Sequence, residues 1–406
     1  MTPAAADPAT GAGQPPRARR LAGVDAARGV ALLGMMAVHV LPDVDPDGST
    51  SLAYLLASGR AAALFALLAG VGLALAHGGS RRLPQGRGWA ADGAGLAVRA
   101  ACIGLVGLLL GEVDSGVAVI LPYYAVLFVL AVPLLGLRPP ALVGVAVAAA
   151  AVVPVLSHDL RRALPAPDRT NPTLADLAAP GDLLRELLLT GYYPALPWVA
   201  YVATGLAVGR LALGAVRVQA GLLAVGAALA LGAAGASSLL LGPLGGRAAL
   251  EADLAGYPPA EVDRLLASSQ YGTTPPGTWW WLALDAPHSS TPLDLLHTTG
   301  TSLAVLGAVL LLARVAGPLL VPLAAAGGMT LSLYSAHVLL LSSGLLPAEP
   351  LASWLVQCAA ALAGATAWRL AVGRGPLEAA VAGLVRPVRR AVGGVQEPSP
   401  RGSVER

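Results

Sequence analysis

The chain has 406 residues, 56% of them hydrophobic and 12% charged, with a mean hydropathy of +0.69. A soluble globular domain carries about 25% charged residues, so this composition excludes one and indicates a polytopic membrane protein. All 26 basic residues are Arg, and the net charge of +3 says little until it is placed relative to the apolar runs. Residues 1–16 are rich in Pro and Ala without an apolar core, so 1–19 reads as a disordered tail and not a signal peptide.

Ten apolar runs follow, at about 22–42, 58–77, 96–112, 117–136, 140–157, 192–213, 217–241, 295–314, 319–345 and 351–371. The expected fold is therefore all-α, with about ten transmembrane helices. Short separators such as Glu112–Gly116 and Gly214–Val216 call for tight antiparallel hairpins. With the N-terminus in the cytoplasm, only Arg60, Arg161, Arg162, Arg169, Arg185, Arg247 and Arg264 fall outside; every other Arg falls inside. The positive-inside rule selects that orientation, and an even number of spans puts both termini in the cytoplasm. Residues 20–378 then form one transmembrane domain. Its N-terminal helices occupy 20–157 and its C-terminal helices 192–378, with extracytoplasmic segments at 158–191 and 242–294. Residues 379–406 are a basic cytoplasmic tail.

Within the outer segments, Pro180–Thr190 has the pattern of a short amphipathic or re-entrant helix. Pro258–Ser269 opens on Pro with acids in its first turn, which marks a helix N-terminus. Trp279, Trp280 and Trp281 suit an interfacial belt.

Charge at membrane depth is costly and marks function. The first run, Arg20–Pro42, carries Asp25, Arg28 and His39. At 100° per residue all three share one helix face, with His39 about 16 Å beyond Arg28 along the axis. That face joins a charged pair at one membrane surface to an imidazole in the opposite half. Further polar residues are Arg60, which opens the second run, and His288, Asp294 and His297 around the start of the eighth. His337 lies in the ninth, with Tyr334 one turn earlier. Asp294 and His297, three residues apart, are neighbours on a helix surface.

No HxxxH spacing, CxxC pair, P-loop or strand-borne GxGxxG occurs, so neither a metal site nor a nucleotide-binding loop is expected. Cys102 and Cys358 lie far apart in apolar runs, which rules out a disulfide framework. The basic residues flank spans, so nucleic acid is excluded as a partner. Gly205-x3-Gly209 permits close helix contact within one chain or across a homodimer.

Asp25-x2-Arg28-Gly29 followed by Arg28-x10-His39 resembles the R-x10-H signature of OafA-type membrane O-acyltransferases. It also resembles the opening of heparan-α-glucosaminide N-acetyltransferases. Leu64–Leu73, Tyr193–Arg210, Pro287–Gly300, Ala325–His337 and Gly373–Glu378 are similar to the YeiB-like bacterial membrane family of the same superfamily. The resemblance implies a multi-pass protein of the bacterial plasma membrane. Such a protein would move an acyl group, acetyl foremost, from cytoplasmic acyl-CoA to an extracytoplasmic hydroxyl or amine. His39 would be the base or acyl carrier, with Arg28 and Asp25 beside it. Arg28, Arg99, Arg210, Arg314 and Arg374 would hold the CoA, and Arg60, His288, Asp294, His297 and His337 would line the acceptor side. The outer loop Asp43–Ser51 holds no His, so the histidine that heparan-type enzymes carry there has no counterpart. The rival reading is a transporter or flippase for an anionic or acylated metabolite, with the same polar face as its path.

Overall fold

The computed structural model describes residues 22–79 and 86–394. The expected tail at 1–19 and Arg81, Arg82, Arg401 and Arg406 lie outside them. The described chain is helical, and its sole β pairing is an isolated bridge between Val44 and Thr50.

The first helices are α1 (Ala22–Val40), α2 (Leu52–Ala57), α3 (Arg60–Ala76), α4 (Gly86–Gly111), α5 (Leu121–Ala131) and α6 (Pro139–Ala151). They are followed by α7 (Val153–Leu160), α8 (Pro180–Arg185), α9 (Ala195–Val208), α10 (Val216–Leu241), α11 (Gly246–Asp253) and α12 (Pro259–Ala267). The chain closes with α13 (Pro292–Val315), α14 (Val321–Gly327), α15 (Thr330–Ser342), α16 (Pro350–Ala371) and α17 (Pro376–Gly393). Each of the ten apolar runs coincides with a helix or a broken helix. Seven are long and apolar enough to cross a bilayer, α14–α15 forms one bent pair with a 68° break, and α5 and α9 are shorter apolar helices. The chain is thus a helical membrane protein.

The breaks have local causes. α1 stops at Val40, ahead of Pro42, where a continuing helix would lose a hydrogen bond and meet the ring. α2 and α3 are divided at Ser58-Gly59, where Gly59 adopts φ 71°, a conformation open chiefly to glycine. α12 begins one residue after Pro258, as the Pro-led pattern requires. Pro180–Thr190 is helical, with α8 passing into a π turn over Glu186–Thr190. The basic stretch after residue 378 is helical to Gly393, as most of α17.

Small residues set the packing. A Cβ on Gly29 would fall 2.3 Å from the Leu323 carbonyl oxygen, and one on Gly327 would fall 1.7 Å from that of Asp25. α1 and α14 therefore cross backbone to backbone, a contact only glycine permits. Gly205 meets Leu67 of α3 in the same way, and Gly209 meets Ala74. The Gly205-x3-Gly209 face is consequently consumed inside the chain, not at a homodimer interface.

Residues of α11 and α12 build a second small core with Leu250, Val262, Leu266, Trp281 and Leu284. Trp281 is buried and donates to Asp253 Oδ2 at 2.7 Å. The tryptophan triplet is accordingly not a uniform interfacial belt: Trp279 is exposed while Trp281 anchors the cap. The bundle has a basic end, where α1 starts and α17 lies, and a capped end, where α1 finishes.

Candidate functional site

A cavity of about 790 Å³ runs beside α1, lined by Asp25, Arg28 and His39 together. The helical face expected from their spacing is real, and it looks into space inside the protein. That volume lies within the range of small-molecule sites.

The basic half is charged. Arg28 Nη1 donates to Asp25 Oδ1 at 3.0 Å and Nη2 to the Leu68 carbonyl at 3.2 Å. The guanidinium enters a notch left by Gly72, where a Cβ would sit 2.2 Å from Nη2. Arg99 lies over the Phe128 ring, 5.4 Å from its centroid, and presents its surface to the cavity. Arg369, Arg374, Arg386 and Arg389 complete the lining. Arg369 Nη1 bonds the Ala324 carbonyl at 3.0 Å, and Arg389 pairs with Asp92. Glu378 receives the Leu331 and Ser332 N–H groups at 2.8 and 3.2 Å and the Ser332 hydroxyl at 2.6 Å. It thereby caps the N-terminus that the α14–α15 break exposes.

The other half is neutral and aromatic. His39 is bonded through Nδ1 to His337 Nε2 at 3.0 Å, the rings stacked at 13°. His337 is 1% exposed and lies behind His39, off the cavity. Its Nδ1 meets Gln357 Oε1 at 2.6 Å, and Gln357 Nε2 donates to Ser353 Oγ at 3.2 Å. Chemistry assigns the protons along this chain. An amide oxygen only accepts, so His337 Nδ1 carries hydrogen. Its Nε2 in the neutral ring then accepts, and His39 Nδ1 must donate. The lone pair of His39 is left on Nε2, which has no hydrogen-bond partner among the described residues.

Tyr124, Tyr193, Tyr334 and His288 line the same half. The Tyr193 hydroxyl donates to the Ala118 carbonyl at 3.2 Å, and that of Tyr334 accepts from Ile120 N–H at 3.3 Å. His288 stands in a left-handed backbone conformation at φ 54°, costly for a non-glycine and characteristic of functional sites. Its ring lies parallel to Trp198 at 6.5 Å and edge-on to Tyr193 at 5.4 Å. Burial pushes this imidazole down to about 4, so it is neutral at physiological pH.

Several expected site residues lie elsewhere. Arg210 bonds the Leu135 carbonyl at 2.6 Å and Arg314 that of Gly214 at 3.1 Å. Both tie helix ends and neither lines the cavity. Arg60, Asp294 and His297 form a separate cluster. Arg60 Nη2 meets His297 Nε2 at 3.0 Å, and His297 Nδ1 faces Asp285 Oδ2 at 4.0 Å. Asp294 instead receives the Ser290 N–H at 2.9 Å. The i,i+3 spacing of Asp294 and His297 thus serves two different partners. Sequence reasoning passed over Gln357, Glu378, Arg369, Arg386 and Arg389 as site residues, because nothing in one chain segment shows which distant helix it faces. The available signals were a Gln amid the apolar residues of the tenth run and, for Glu378, the family-like stretch Gly373–Glu378.

Residues 20–241 match the family described as heparan-alpha-glucosaminide N-acetyltransferase, catalytic. The chain belongs to this family. Among curated proteins and solved structures, none matches it. Membership in the heparan-alpha-glucosaminide N-acetyltransferase family places the chain among transmembrane acetyltransferases. The matched region supplies the α1, α3, α4 and α5 walls of the cavity and Tyr193 just ahead of α9, and so includes Arg28, His39 and Arg99. His288, His337, Gln357 and Glu378 come from the part beyond it.

Proposed function

We propose that the protein transfers an acyl group, acetyl foremost, from acyl-CoA bound in the basic half of the cavity to an acceptor bound in the neutral half. The observation that carries this reading is one continuous cavity joining six arginines to a histidine whose tautomer a buried hydrogen-bond chain fixes. Arg28, Arg99, Arg369 and Arg374, with Arg386 and Arg389 of α17, supply cations for the phosphates of CoA. His39 Nε2 takes the proton from the acceptor as its oxygen or nitrogen attacks the thioester carbonyl. The carbon–sulfur bond breaks, the proton passes to the departing sulfur, and the products are acylated acceptor and free CoA thiol. A transient acyl group on His39 is the two-step variant of the same transfer.

In this reading the basic end faces the cytoplasm of a bacterial cell, and all ten helical segments cross or enter the plasma membrane. Both termini are then cytoplasmic and the cap of α11 and α12 is extracytoplasmic, in keeping with the distribution of Arg. The chain acts as a YeiB-like member of the superfamily, and its acceptor approaches from the capped end.

The deciding experiment is thiol release from acetyl-CoA by the protein in lipid nanodiscs, wild type against His39→Ala. Loss of release in a variant that folds and elutes as wild type supports the proposal. Release at the wild-type rate would sink it. A transporter is the second reading, favoured by the helix pair α14–α15, bent by 68° at its break, since such breaks line transport sites. It predicts CoA-independent solute movement and no thiol release.

A further inference from the structure

The arginine-rich half and the histidine half of the cavity differ in more than position. Among the described residues lining it, the acids are Asp25 and Glu378. Asp25 is paired to Arg28, fourteen residues before His39, or about 21 Å along the helix axis. Glu378 is held at Leu331 and Ser332, roughly 8 Å along α15 from His337. The neutral half is lined among others by Val38, Ala62, Phe65, Ala118, Tyr124 and Tyr193, together with His288 and Tyr334. None of these carries a negative charge. Asp294, the nearest buried acid to this wall in sequence, is turned into the Ser290 backbone and lies off the cavity.

An amine with a pKa near 8 or above enters largely as ammonium at pH 7. Stripping that cation of water beside apolar and aromatic walls costs several kcal/mol unless an anion meets it. The six arginines in the other half add repulsion to that cost. A hydroxyl incurs no such penalty. Its oxygen and hydrogen need one donor and one acceptor, which the tyrosine hydroxyls and imidazoles supply, while its C–H surfaces pack on rings. Discrimination by leaving a wrong substrate's charge unpaired is a common device of specific sites.

We infer that the acceptor is an uncharged, hydroxyl-bearing compound, so that the product is an ester rather than an amide. This rests on the acyl-transfer reading above and narrows it. The balanced step is acceptor O–H plus acyl thioester giving O-acyl acceptor plus CoA thiol, with His39 carrying the proton from oxygen to sulfur.

The test uses the full chain in lipid nanodiscs with acetyl-CoA and matched probe pairs, glucose against glucosamine and ethylene glycol against ethanolamine. Thiol release is followed, and each product is scored as ester or amide by mass and by lability to hydroxylamine. Ester formation at least tenfold faster than amide formation is expected. Amide formation at an equal or higher rate overturns the inference and leaves acyl transfer standing. Absence of thiol release with every probe overturns acyl transfer itself, and the inference with it. Ala62→Asp and Ala118→Asp each place a carboxylate in the neutral half and are expected to move the ester-to-amide ratio at least tenfold toward amide. A ratio unmoved in both folded variants overturns the charge argument.

Discussion

Gln357→Leu isolates the tautomer argument because it keeps the volume of a 4% exposed side chain and removes only the amide. In the wild-type protein the Gln357 oxygen, 2.6 Å from His337 Nδ1, holds the proton there. With leucine in its place that buried N–H has no acceptor, a loss of about 1–3 kcal/mol. The His337 proton then favours Nε2, where it requires His39 Nδ1 as acceptor and puts the His39 proton on Nε2, facing the cavity. That form cannot remove a proton from an acceptor. A bias of this size lowers the base-competent population by about 5- to 150-fold. The loss belongs in kcat, measured by thiol release in nanodiscs, while KM for acetyl-CoA stays unchanged because the arginines at the basic end are untouched. Gln357→Glu keeps an acceptor at Nδ1 and should stay within about tenfold of wild type. A leucine variant that turns over at the wild-type rate, or whose defect lies wholly in KM, would refute the reasoning.

Gly72→Ala puts a methyl 2.2 Å from Arg28 Nη2 and should displace the guanidinium, raising KM for acetyl-CoA with a smaller effect on kcat. Steady-state kinetics with donor concentration varied checks this, and Arg28→Ala should resemble it. Arg99→Ala and Arg374→Ala should each raise the donor KM by about tenfold, the value of one charge-assisted hydrogen bond of 1.5 kcal/mol. Arg314→Ala, whose bond to Gly214 is remote from the cavity, should leave KM unchanged. Gly327→Ala forces a methyl onto the Asp25 carbonyl and should destabilise the α1–α14 contact by about 1–3 kcal/mol, seen as a lowered melting temperature by tryptophan fluorescence.

Much of the helical layout was legible because apolar length is a local property. A run of about twenty apolar residues reads as a spanning helix wherever it sits, and each of the ten runs proved helical. The Asp25–Arg28–His39 face was equally legible, since helical periodicity alone puts the three on one side. Arg28 and Asp25 were expected as a pair, and their i,i+3 spacing makes that contact almost automatic. Of the arginines expected to hold the CoA, Arg99 and Arg374 line the cavity, whereas Arg210 and Arg314, which share their sequence context, do not. A basic residue at the end of a span looks the same whether it meets a cavity or ties down a neighbouring carbonyl.

The sequence by itself determined an all-helical membrane chain and one polar face on its first helix, because hydropathy and period act within a single segment. Only the tertiary structure decided what that face meets. It brought His337 and Gln357, some three hundred residues away in the chain, behind His39, and left the acids among the described residues out of the chamber around it. Those outcomes depend on which glycines let α1 meet α14 and α3 meet α9 at backbone distance, and close approach is a relation between helices that no one segment encodes.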